Sequence, residues 1–203
     1  MSESPGDRGD RSEVELRIVE ATFAAIHRHG YSDLTIQAIA DEFEKSKSLL
    51  YYHYDDKDEI VADLLDYALD WFLSAVDDRT TDDPVENLRA VVEELLPVDP
   101  TDEELAGRHV VMELRAQAVT NPEFRATFTE IDERLHDRIA GHVREILDRR
   151  GVEGVDADDV AEQFLAVLNG TLIESVTTDR DVTPAMRRSL LTRLETLAGE
   201  CPE

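Results

Sequence analysis

Residues 45–57 concentrate the side chains best suited to binding chemistry. Lys45, Lys47 and Lys57 are the only lysines among 203 residues, and between them Tyr51-Tyr52-His53-Tyr54 set four consecutive polar-edged rings where a short helical pattern ends. A core of helices needs one or two such rings, so the others face outward. Exposed Tyr, Lys and Ser beside a helix N-terminus donate hydrogen bonds to phosphate, and the helix end itself favours an anion. Other chemistry is sparse. The chain has no Gly-rich phosphate loop, nucleophile elbow or His-Glu-x-x-His, and its sole cysteine is Cys201. The carboxylates are dispersed over polar helix faces rather than paired in an apolar setting. His109 with Glu113, and His136 with His142, are pairs lacking the third ligand a metal requires. Neither an enzyme, a metal site nor a cofactor is expected.

Charge narrows the setting. Forty-seven Asp and Glu against 21 Lys and Arg give a formal net charge of −26, a field that repels nucleic acid and anionic membranes in dilute salt. The other 18 cations are all arginines. An acidic, lysine-poor chain stays hydrated in molar KCl, where a Debye length of ~3 Å screens its self-repulsion, so the composition reads as that of a halophilic, salt-adapted protein. Because the acids run along the whole chain, they do not single out a basic partner. No stretch approaches the ~18–20 apolar residues of a membrane span, so no membrane partner is expected. Residues 1–11 are polar, without an apolar signal region, and read as a disordered tail of a cytoplasmic protein.

Helices must position the ring-and-lysine segment, since the apolar periodicity is helical throughout and no run of β-branched residues is bounded by hairpin turns. The expected class is all-α with about nine helices. Leu16, Val19, Phe23 and Ile26 define a first helix over 12–29, stopped by Gly30. Thr35 caps a short second helix carrying Ile36, Ile39, Ala40 and Phe43, and Ser46 caps a third through about residue 52. The acidic run 55–59 opens a long fourth helix to about residue 77. Asp83-Pro84, Thr101 with Glu104, Asn121-Pro122, Asp156 and Thr183-Pro184 open five more.

Two short helices behind a longer one make the tri-helical helix-turn-helix arrangement, whose last helix enters the DNA major groove. The stretch TIQAIADEFEKSKSLLYYHYDDK, with Ile39-Ala40, Ser46-Lys47, Leu50 through Tyr54, and Lys57, resembles the N-terminal signature of the TetR family of transcriptional regulators. The resemblance implies a head over 12–55 in which Thr35, Tyr51, His53 and Lys57 contact backbone phosphates. Ser46 also belongs to the DNA-binding set, and Lys47, Ser48, Leu49 and Tyr52 would face bases or their flanking phosphates, with Leu49 against a thymine methyl and Lys47 at guanine acceptors. One feature departs from the family pattern: Phe43-Glu44-Lys45 stands where Ala-Gly-Val is common. The first sixty residues, with 7 basic and 14 acidic side chains, also sit uneasily with DNA binding at low salt.

By the same resemblance, residues 56–203 form a ligand-binding and dimerisation domain, more loosely similar to the choline-responsive betaine-operon repressor subgroup. A homodimer matches a palindromic double-stranded DNA operator because one head reads half a site. Phe164, Leu168 and Leu172 on one helix, with Leu190 and Leu194 on the next, are the expected dimer stripes. Trp71, His109, Met112, Glu113 and Asn169 are candidates to orient a small-molecule effector. The expected function is a sequence-specific DNA-binding regulator, a repressor released by its effector. The competing reading is a ligand sensor or protein-binding helical protein with a degenerate head.

Overall fold

The computed structural model describes residues 12–43 and 47–199. Residues 1–11 and 44–46, and with them the expected disordered segment and Ser46 cap, lie outside the described residues. Nine helices and no strands occur among the described residues: α1 (Glu13–His29), α2 (Ile36–Phe43), α3 (Lys47–His53), α4 (Lys57–Asp77), α5 (Pro84–Leu95), α6 (Asp102–Gln117), α7 (Pro122–Arg150), α8 (Ala157–Thr177) and α9 (Thr183–Ala198). None is long and apolar enough to cross a membrane.

Local side-chain chemistry sets most of the helix starts. Ser12 accepts the Glu15 N–H while the Glu15 carboxylate accepts the Ser12 N–H, a capping box at α1. Thr35 Oγ1 accepts from Ala38 N at 3.1 Å, and Asp56 accepts from both Asp58 N and Glu59 N. Asp83 and Asp156 cap α5 and α8. Thr101 and Glu104 form the second reciprocal pair, at α6. The last helix differs, beginning after Val182 with no side-chain cap.

The chain divides into two compact units, Met1–Asp70 with Glu113–Thr127, and Trp71–Met112 with Phe128–Glu203. This differs from a division at residue 55, because the first part of α4 and the segment joining α6 to α7 group with the head. In the first unit α1 packs on α2 and α2 on α3, around Ile18, Ile26, Ile39, Leu50 and Ile60, all at most 1% exposed. Gly30 ends α1 with φ +74° and ψ 159°, a region closed to residues bearing a Cβ. Gly30→Ala should therefore destabilise the head by about 1–3 kcal/mol; an unchanged melting temperature would refute the strain assigned to this position.

In the second unit α9 packs on α5 and α8. Arg187 on α9 donates to Leu96 O and to Glu93, and Glu93 also accepts from Arg79. Asn87, 4% exposed, holds the turn before α5 by exchanging amide hydrogen bonds with the Thr81 backbone. Of the expected dimer stripes, Phe164, Leu168, Leu190 and Leu194 are each at most 4% exposed in the single chain and pack in the core of the second unit. Leu172 is half-buried.

Candidate nucleic-acid interface

Seven residues make up α3, and the only buried one is Leu50, which anchors the helix in the head. The outward side carries Lys47, Ser48, Tyr51 and Tyr52, with Leu49 half-buried beside them. Tyr51 and Tyr52 are 54% and 81% exposed, and the Lys47 ammonium lies 5.6 Å from the centre of the Tyr51 ring. Phenol hydroxyls, an ammonium and a hydroxyl on one short convex helix form a surface of donors that can meet phosphate and base acceptors together.

The remaining rings brace this helix. Tyr54 is buried and donates to Asp63 at 2.5 Å. His53 is held edge-on to Tyr52, with Nδ1 3.8 Å from a Glu15 oxygen. Thr35, exposed, already uses its hydroxyl oxygen to cap α2. Lys57 also has an internal role: its ammonium donates to Leu34 O at 3.2 Å and lies 4.4 Å from the Tyr31 ring centre.

Sequence reasoning did not single out Tyr31, which organises the turn between α1 and α2. Its phenol donates to Asp58 at 2.8 Å, and Asn121 donates to the other Asp58 oxygen at 3.0 Å. Burial first, and then the bond to Asp58, push this phenol above its ordinary titration range, so it remains a donor at physiological pH. Glu113, expected to orient an effector, accepts the Tyr31 N–H at 2.7 Å. The other effector candidates differ in exposure. Trp71 is 57% exposed, His109 is exposed, Asn169 is half-buried, and Met112 is buried. A groove of about 450 Å³ between α7 and α8, lined by Arg144, Leu147, Asp148, Val152 and residues 154–158, includes none of them.

A tri-helical head with a donor-studded third helix defines a helix-turn-helix DNA-binding protein. The comparisons identify the family: residues 18–64 match the model for bacterial regulatory proteins of the tetR family, and residues 84–199 match the C-terminal domain of BetI-type transcriptional repressors. The chain belongs to the TetR family of transcriptional regulators. It is 27% identical over 144 residues to the HTH-type transcriptional repressor AcnR of Corynebacterium efficiens, covering 69% of this chain and 70% of that one. A TetR transcription regulator from Haloarcula marismortui superposes with a TM-score of 0.81 at 32% identity, over 91% of this chain and 97% of that chain. A transcriptional regulator from Saccharomonospora viridis, solved in complex with choline, has a TM-score of 0.75 at 26% identity, over 92% and 97%.

Proposed function

We propose that the protein is a cytoplasmic, homodimeric repressor that binds a palindromic operator and releases it when a small molecule occupies the C-terminal helices. The observation that carries this reading is the exposure of Lys47, Tyr51 and Tyr52 on a helix anchored by Leu50. Lys47, Ser48, Leu49 and Tyr52 read base edges and adjacent phosphates, while Thr35, Tyr51 and His53 hold the backbone; Lys57 adds a phosphate contact through an N–H not used on Leu34 O. The protein acts by binding and catalyses no reaction. The effector acts by changing which arrangement of the paired heads is populated, and choline, bound by one relative, is the first compound to test. Fragments of the source genome retained at ~1–2 M KCl should share a two-fold symmetric motif. Retention that scales with fragment length and reveals no motif would sink the reading.

For the dimer, the exposed face of α8 supports a contact through Ala166, Gly170, Ile173 and Thr177, spaced three and four residues apart along one side of the helix. Ile173 is 46% exposed, and a Cβ on Gly170 would meet nothing within 4 Å, leaving room for close helix approach. Gly170→Arg should convert the dimer to a folded monomer, because the substitution is unhindered within the chain and removes the helix-interior cost of glycine, about 0.5–1 kcal/mol. Sedimentation decides it: a variant that remains dimeric would place the interface elsewhere.

We further assign the acidic, lysine-poor surface to salt adaptation. Raising KCl from about 0.1 M to about 2 M shrinks the Debye length from ~10 Å towards ~3 Å or less, which relieves repulsion among the carboxylates. The melting temperature should rise by roughly 10 °C or more. A flat or falling dependence would refute the assignment.

A further inference from the structure

The turn leading into α2 is gripped by three helices from outside the tri-helical head. Gly30 ends α1 by donating its N–H to Ile26 O, and the next amide, that of Tyr31, donates to the Glu113 carboxylate on α6 at 2.7 Å. The same carboxylate oxygen lies where residue 30 has no side chain: a Cβ built there would come within 3.1 Å of it. Tyr31 also bonds through its phenol to Asp58 on α4, which is held in turn by Asn121 at the mouth of α7. Its ring meets Phe124 edge-on at 5.3 Å. Lys57 completes the grip through the Tyr31 ring and Leu34 O. One residue further on, Thr35 caps α2.

We propose that Glu113, with Asp58 and Asn121, forms a latch that transmits the state of α6 and α7 to the start of α2, making Glu113 a positioning residue for DNA binding. The proposal rests on the regulator reading, since the latch acts on what the head binds. A carboxylate accepting a backbone amide makes a short, directional, charge-assisted bond, roughly twice as strong as a neutral one. It is also sensitive to helix rotation, because successive residues of a helix point ~100° apart. α6 carries Glu113 on the same continuous helix as residues 102–112 of the second unit. Turning or sliding α6 therefore withdraws the acceptor from Tyr31. With the latch closed, the approach to α2 is fixed and the recognition helix is preorganised. Once it opens, that segment must be ordered again when DNA binds, and affinity falls.

The test compares the full-length parent with Glu113→Ala, Glu113→Gln, Asn121→Ala and, as a control on the exposed first turn of α6, Glu103→Ala. Three quantities are read: hydrogen exchange of the Tyr31 amide, exchange across α5 and α9, and affinity for a DNA fragment selected by the parent. Glu113→Ala should speed Tyr31 exchange at least tenfold and weaken DNA binding about tenfold, with α5 and α9 unchanged. Glu113→Gln, which retains an acceptor oxygen, should recover most of both losses, and Glu103→Ala should match the parent. If the alanine variant fails to fold, Glu113→Gln and Asn121→Ala should each show intermediate loosening at Tyr31. The latch is overturned if Tyr31 exchange stays at the parental rate, if protection falls equally in both units, or if Tyr31 opens with DNA affinity intact. A parent that selects no DNA would defeat the regulator reading separately, and Tyr31 exchange would still pass or sink the contact.

Discussion

Replacing both Lys47 and Tyr52 with alanine should reduce affinity for the selected operator by about a hundredfold or more, while thermal stability stays within a degree or two of the parent. The expectation joins two facts. Tyr52 is 81% exposed and Lys47 is exposed, so neither contributes a buried side chain to the fold. Each good base or phosphate contact is worth about 1–3 kcal/mol of binding, and losing two of them spans that range of affinity. The single variants separate the roles. If Lys47 bonds a guanine, Lys47→Ala should relax sequence preference at one position of each half-site; if it touches only phosphate, binding should weaken evenly across sequences, with a shallower salt dependence. Fluorescence anisotropy with the operator and a scrambled duplex resolves these outcomes. A double variant that binds like the parent would remove α3 as the reading element.

The second large effect concerns stability. Phe164→Ala should destabilise the protein by about 3–5 kcal/mol, a substantial part of the ~5–15 kcal/mol that holds a typical domain together. Phe164 is 2% exposed within one chain, so truncating it opens a cavity in the core of the second unit. The outcome separates core from interface. The decrement measured by denaturant unfolding should be the same at protein concentrations a hundredfold apart, whereas a lost subunit contact would make the variant recover at high concentration. Concentration-dependent rescue would return Phe164 to the interface.

What the sequence made legible follows from how local the underlying physics is. Thr35, Asp83, Thr101 with Glu104, and Asp156 announce helix starts because a side chain bonds a backbone amide two or three residues away. The outward rings of α3 were visible for a similar reason: four adjacent rings exceed what one short helix can bury. Which way the stripes of α8 and α9 face was not legible, because an apolar stripe has the same spacing whether it faces its own chain or another. Only the packing of α9 on α8 and α5 decides between them. Glu113 was harder still. It sits 82 residues from the amide it accepts, and nothing in the spacing of α6 marks it out. Gly30 gave half of that contact, since its role as a helix stop was clear, but the carboxylate beside it becomes visible only once the chain is folded.

The scarcity of lysine turns the head into a chemical reporter. Every lysine amine lies within residues 45–57, so an amine-acylating reagent marks those side chains and the N-terminal amine and leaves the side chains of the C-terminal helices without a reactive amine. Lys47 stands in solvent, while the Lys57 ammonium is engaged with Leu34 O and the Tyr31 ring. If Lys47 meets DNA as proposed, its protection would follow occupancy, and acceleration at Lys57 would follow loosening of the turn beneath it. One mass spectrum would read binding and head closure on the same molecules, without any residue being replaced.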